Sequence, residues 1–162
     1  MASGDTLVVF TPLHNEPPAS NAATIDLRNQ HPVLDFDATT GEIAIFSNVM
    51  PRNYAGGGVT VYAHWAASTA TSGTIGWLVG FERIGTAQDM DTDSFAADNT
   101  ITATTVSGTS GIVVITNVTF TDGADMDSVA VGETFRLKIT RDVAGDSATG
   151  DAELRAVEIK ET

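Results

Sequence analysis

The stretch of sequence that decides the fold reads PRNYAGGGVTVYAHW at residues 51–65, followed by TSGTIGWLVGFERI at residues 71–84. Apolar residues alternate with polar or small ones in both stretches, and a short segment rich in Ser, Thr and Gly separates them. Alternation with a period of two is typical of β-strands that bury one face. The pattern predicts two strands of a β-sandwich, at about 59–67 and 75–84, joined as a β-hairpin and each carrying one tryptophan.

Both tryptophans are predicted to lie in the core. Trp65 shares its strand face with Val61 and Ala63, and Trp77 shares its face with Val79. Because their neighbours on these faces are aliphatic or small, core packing explains the tryptophans better than stacking on a sugar. The glycine run at 56–58 is expected to supply backbone freedom where a loop enters the first strand.

The rest of the chain shows the same short alternating runs separated by turn-forming residues. Residues 33–36 and 42–49 form a second candidate hairpin, and 122–130 holds at most one helical turn. We count eight or nine strands and predict one domain over 1–162, an all-β, antiparallel, two-sheet β-sandwich of the jelly-roll kind. The other segments with a strand-like pattern are 5–11, 100–106, 112–120, 133–141 and 151–160, and 24–27 is a candidate for a further short strand.

Composition excludes several functions. The chain has 21 acidic against 8 basic residues, a net charge of -13, so it should repel nucleic acid and anionic membranes. It has no cysteine, so neither a disulfide nor thiol chemistry is available. The N-terminal sequence has no basic and apolar leader pattern, and we expect neither a signal peptide nor a membrane span.

One acidic segment resembles the start of a calcium-binding loop. Asp89, Asp91 and Asp93 have the spacing of the first three ligands, but Ser94 stands where such loops have glycine, and Thr100 stands where they have glutamate. The segment therefore leaves two interpretations open, a calcium site or solvated loop acids. Calcium is the only cofactor that the sequence suggests.

Five side chains are candidates for contact with a ligand or a neighbouring subunit. Tyr54 and Tyr62 are the candidate exposed aromatics, and His64 shares the polar face of its strand with Tyr62. Arg52 and Arg83 flank the tryptophan strands, and in so acidic a chain each is expected to pair with an acid. No catalytic residue is predicted, since the chain has no G-x-S-x-G motif and no histidine pair with metal-ligand spacing.

Three motifs, in order, are similar to a family of small virion-associated proteins of tailed bacteriophages. They are the proline, aromatic and glycine run at 51–65, the Ser-Gly and tryptophan strand at 72–84, and Arg141-Asp142, a loop and Gly-Asp-Ala-x-Leu at 150–154. The resemblance covers roughly the last two thirds of the chain. It implies a jelly-roll structural module and supplies no catalytic residues.

The resemblance implies two competing roles on the phage particle. The first is a non-enzymatic capsid decoration or cement protein that self-associates as a trimer and binds the major capsid protein. The alternative is a module of the tail or fibre that binds carbohydrate or a receptor. Either role places the protein in the virion after synthesis in the host cytoplasm, without direct nucleic-acid binding.

Overall fold

The computed structural model describes residues 4–162 and confirms the predicted all-β sandwich of two antiparallel sheets. The described chain holds ten strands, more than the eight or nine predicted, and its helical content is two 3-10 turns at Pro12–His14 and Ala124–Met126. None of its helices is long and apolar enough to cross a membrane. The strands are Thr6–Phe10 (β1), Thr24–Arg28 (β2), His31–Phe36 (β3), Ile43–Val49 (β4), Val59–Ala67 (β5), Thr74–Ile84 (β6), Asn99–Thr105 (β7), Val114–Phe120 (β8), Thr134–Arg141 (β9) and Ala152–Glu161 (β10).

The two sheets have six and four strands. The larger has the order β2-β3-β10-β5-β8, and β1 pairs with the later part of β10 on the edge that β3 uses at 152–154. The smaller has the order β4-β9-β6-β7. Because most connections cross from one sheet to the other, strands that are neighbours in sequence usually face each other across the core.

The core lies between the inner faces of the two sheets. Trp65 and Trp77 are fully buried with ring centroids 6.3 Å apart, and Phe36 meets Trp77 edge to face at 5.0 Å. The Trp65 Nε1–H donates to the Thr116 hydroxyl at 2.9 Å, which satisfies its polar atom inside the sandwich. The prediction that both tryptophans are core residues is confirmed.

Both predicted hairpins are wrong. The strands predicted at 59–67 and 75–84 are β5 and β6, which lie in different sheets, and residues 68–73 cross between the sheets. The strands of 33–36 and 42–49, β3 and β4, are likewise divided between the sheets. Alternation identifies the buried face of a strand but not its neighbour, so a crossing connection gives the same pattern as a hairpin.

A tight turn joins β2 and β3, the hairpin that the sequence did not indicate. Asn29 and Gln30 have φ values of 46° and 65°, as a two-residue hairpin turn requires at both central positions. At the entry to β5, Gly58 has a φ of 87°, and a Cβ there would collide with the carbonyl oxygen of Phe120. The expected role of the glycine run is confirmed at this position.

The outer faces of the two sheets differ. On the four-stranded sheet, the Phe95 ring lies under the Arg136 guanidinium and the Lys138 ammonium, 5.1 and 5.2 Å from its centroid. The segment that follows β6 therefore covers part of that face, and Glu82 beneath it is only 3% exposed. The corresponding face of the six-stranded sheet exposes its side chains to solvent. Below, the term outer face is used for this face of the six-stranded sheet alone.

Candidate functional site

Two of the predicted contact residues lie on the outer face. Val61, Ala63 and Trp65 of β5 point into the core, so Tyr62 and His64 point outward. Both side chains are half-buried. The structure thus brings these two candidates together on one exposed surface of the sheet.

Tyr62 is surrounded by polar side chains from the two neighbouring strands. Asn117 of β8 and Glu158 of β10 are its direct cross-strand partners, and the Lys160 Nζ lies 5.6 Å from its ring centroid. Glu158 also faces His64, with Nε2 and Oε2 3.9 Å apart, and it accepts a hydrogen bond from the Thr6 hydroxyl. This part of the face therefore offers an aromatic ring with amide, carboxylate and ammonium groups around it.

A depression of about 360 Å³ opens on the same face beyond His64. Its apolar lining includes Val33 and Ala66, which are nearly buried although neither belongs to the core cluster between the sheets. Val113 adds an apolar side chain that is 52% exposed. Polar side chains from the β2–β3 hairpin and from β10 complete the lining: Arg28, Asn29, His31, Glu153 and Arg155.

Of the two arginines that line the depression, one is paired with an acid and the other is not. The Arg28 Nη1 lies 2.8 Å from the Glu153 Oε2 and donates to the Ser68 carbonyl oxygen at 3.0 Å. Glu153 is only 7% exposed, so this ion pair is partly shielded from water. Within residues 4–162 the Arg155 guanidinium makes no hydrogen bond or ion pair, so it is free to meet a ligand.

Sequence reasoning missed the polar residues of this depression. Arg28 and Glu153 are 125 positions apart and meet only because β3 lies between β2 and β10. The alternation within β3 and β10 could have assigned His31 and Glu153 to an outward face, since Leu34 and Leu154 point inward. It could not have shown that the two strands are neighbours.

A half-buried carboxyl, that of Asp35, lies further along the outer face. Burial is the main reason that the pKa of Asp35 is raised to about 6, with Asp151, Glu153, Asp26 and Glu42 adding like-charge repulsion. Its Oδ1 is buried without a hydrogen-bond partner in the described structure. The charged form of this side chain is therefore costly.

The prediction that Tyr54 is an exposed aromatic is wrong. Its side chain is 6% exposed, its hydroxyl donates to the Asp122 Oδ1 at 2.9 Å, and it accepts from the Gly58 amide at 2.9 Å. Burial, followed by the Asp122 hydrogen bond, raises the pKa of Tyr54 to about 12. Its ring helps to line a second depression of about 450 Å³ at the loop end of the sandwich, where Val129 and Ala130 lie.

The two flanking arginines differ. Arg83 pairs with Glu133 at 2.5 Å, as expected, and this hydrogen-bonded pair lowers the pKa of Glu133 to about 2. Arg52 is exposed, packs over Gly132, and makes no ion pair within the described chain. Neither arginine lies on the outer face.

The three aspartates of the candidate calcium loop lie in the exposed segment after β6. The Asp89 Oδ1 accepts from the Asp91 amide at 3.0 Å, and the Asp93 Oδ2 accepts from the Gln88 side chain at 2.5 Å. Among residues 4–162, no three His, Asp or Glu side chains are grouped so that they could hold a metal ion. Calcium binding at this loop stays a prediction.

No protein-family model matches the sequence, and no curated protein matches it. Solved structures do match. The CBM22-1 xylan-binding domain of Paenibacillus barcinonensis Xyn10C is similar over 99% of this chain and 96% of its own, with a TM-score of 0.54 and 12% identity. A family 35 carbohydrate-binding module from an environmental isolate is similar over 96% and 94%, with a TM-score of 0.51 and 13% identity.

A larger protein gives a third match. Clostridium thermocellum xylanase 10B, solved as its CBM22-1 and GH10 modules with xylohexaose, is similar over 97% of this chain and 28% of its own, with a TM-score of 0.53 and 16% identity. At such low identity these likenesses show the fold alone. They support the jelly-roll part of the sequence resemblance and do not bear on the phage family.

Proposed function

We propose that this protein is a non-catalytic carbohydrate-binding module that holds a polysaccharide chain against the outer face. The observation that carries the proposal is the open sheet surface on which Tyr62 lies on the same strand face as Ala66, which lines a depression with an apolar floor and a polar rim. A sugar ring has apolar C–H faces and a rim of hydroxyl groups, so it is complementary to such a surface. The fold likeness to carbohydrate-binding modules supports the same class of function.

The length of the face favours an oligosaccharide over a single sugar. Tyr62, His64 and Ala66 are successive outward positions of β5, and Ala66 lines the depression. Since a strand rises by roughly 3.3 Å per residue, these positions span about 13 Å. One extended chain could therefore contact both the aromatic end and the depression.

Only the sequence resemblance supports a location of this module on a phage particle. A tail or fibre is the position at which a carbohydrate-binding jelly roll would contact a host surface, and that was the alternative role. Capsid decoration, trimer formation and contact with the major capsid protein stay predictions, because the fold likeness does not bear on them.

Affinity electrophoresis and calorimetry against xylan and other plant or bacterial polysaccharides test the proposal. Tyr62→Ala should weaken binding about tenfold or more, and Ala66→Leu should weaken it by filling the floor of the depression. Phe95→Ala is the matched aromatic control, because Phe95 lies over the four-stranded sheet on the opposite side of the molecule. This variant should bind as the unmodified protein does. If Tyr62→Ala and Phe95→Ala bind equally well, the outer face is not the site.

A further inference from the structure

The depression of the outer face holds an arginine whose charge the protein does not neutralise. Of the eight Lys and Arg side chains, five form ion pairs with acids, and Lys160 lies over the Tyr62 ring. The side chains of Arg52 and Arg155 have no ion pair or hydrogen bond within residues 4–162. In a chain with 21 acids, an arginine left without an acid at the rim of a depression is a feature that points to a ligand.

Arg155 lies at an irregularity in the backbone pairing of β10. The pairing of β10 with β5 shifts its register between Leu154 and Ala156, which lie opposite Trp65 and His64, so Arg155 is the extra residue of a β-bulge. A bulge redirects a side chain at the surface of a sheet and is common beside binding sites. It allows Leu154 and Val157 to remain in the core while Arg155 lines the depression.

Among the side chains that line the depression, the two arginines Arg28 and Arg155 face one acid, Glu153. Glu153, the acid that lines it, is already paired with Arg28. Asp26 and Asp35 stand on the same face but do not line the depression. His31 and Asn29 add a ring nitrogen and an amide, which can donate hydrogen bonds to an anion or to hydroxyl groups.

From these observations we infer that the depression binds the carboxylate of a hexuronic acid residue in the polysaccharide, with Arg155 as its principal partner. The planar guanidinium matches a carboxylate in a bidentate geometry, and the apolar floor formed by Val33 and Ala66 fits the C–H face of the sugar ring. This inference rests on the proposed function and specifies that the bound glycan is negatively charged. It selects an acidic glycan although the protein as a whole is acidic.

Calorimetry with a glucuronate-substituted xylo-oligosaccharide, and with the same oligosaccharide after its carboxylate is reduced to an alcohol, tests the inference. The unmodified protein should bind the acidic form at least about tenfold more tightly, as expected for charge-assisted hydrogen bonds. Arg155→Gln should bind both forms equally, and Arg155→Lys should keep part of the preference. Arg52→Gln is the control, since it removes one arginine charge far from the depression. This variant should keep the full preference for the acidic form.

The outcomes separate the inference from the proposed function. If the unmodified protein binds both forms equally and Tyr62→Ala weakens both, the module binds glycans but the carboxylate inference is overturned. A preference for the acidic form that survives in Arg155→Gln overturns the assignment to this depression. If the protein binds no glycan of either kind, the proposed function fails and the inference fails with it.

Discussion

At the scale of single residues, Asp35 links the outer face to stability. Its pKa is raised from 3.8 to about 6, mainly by burial, so the folded state binds a proton more readily than the unfolded chain does. Protonation of this group therefore stabilises the fold, fully below about pH 4, and the stabilisation is lost as the pH rises through about 6. Asp35→Asn should raise the free energy of unfolding at pH 7 by about 1 kcal/mol after allowance for solvent screening, and leave it unchanged at pH 4.

Urea unfolding at both pH values measures this effect, and Asp37→Asn provides a control of opposite sign. Asp37 accepts hydrogen bonds from the hydroxyl and amide of Thr39 and the amide of Thr40, and these bonds lower its pKa to about 2. Its replacement should therefore lower stability at pH 7. If both variants changed stability in the same direction, net charge rather than local environment would explain the effect.

The buried hydroxyl of Tyr54 is expected to contribute to the stability of the fold and not to glycan affinity. Tyr54→Phe removes a donor to Asp122 and an acceptor for the Gly58 amide, and should cost about 1–2 kcal/mol of stability. Glycan affinity should not change, because Tyr54 lines the depression at the loop end and not the outer face. Thermal unfolding and calorimetry together check the two parts. A loss of affinity without a loss of stability would move the binding site to the loop end.

At the scale of elements, Arg141 fixes the connection from β9 to β10. Its side chain is fully buried, pairs with Asp146 at 2.7 Å, and donates to the carbonyl oxygens of Phe36, Ala148 and Gly150. The Arg-Asp and Gly-Asp-Ala-x-Leu motifs of the sequence resemblance therefore flank a structural anchor. They mark how the last strand is held in place, and Glu153, the variable position of the second motif, also lines the depression of the outer face.

Arg141→Met should destabilise the fold by about 3–5 kcal/mol, since it leaves Asp146 buried without a partner. Urea denaturation measures this loss. Arg52→Met, which removes an exposed arginine, should change stability by no more than about 0.5 kcal/mol. A small effect of Arg141→Met would mean that the loop is held by other contacts.

The strands were predictable from sequence, but their pairing was not. The period of two in β5 and β6 identified the buried faces and placed both tryptophans in the core. It carried no information on neighbours, so β5 and β6 were paired with each other although β10 and β8 flank β5. The same limit hid the depression, because Arg28 and Arg155 meet through a strand order that only the fold defines. Tyr62 and His64 could be found because they share one strand face.

At the scale of the whole molecule, the net charge is -13, whereas two arginines and one acid line the depression of the outer face. The predicted trimer is independent of the binding proposal, and light scattering over a concentration series tests it. A trimer of the 16.9 kDa chain would have three times that mass. A monomer at every concentration would contradict the prediction of self-association and leave the outer face accessible for a glycan.

The most direct test of the central claim, glycan binding on the outer face, is a titration of isotope-labelled protein with a glucuronate-substituted xylo-oligosaccharide, followed by NMR. The account predicts that amide resonances shift along 29–33, 62–66, 111–115 and 153–158, which form the outer face and its depression. It also predicts that resonances of 54–56 and 128–131, at the loop end of the sandwich, stay in place. Shifts confined to the loop end would contradict the account.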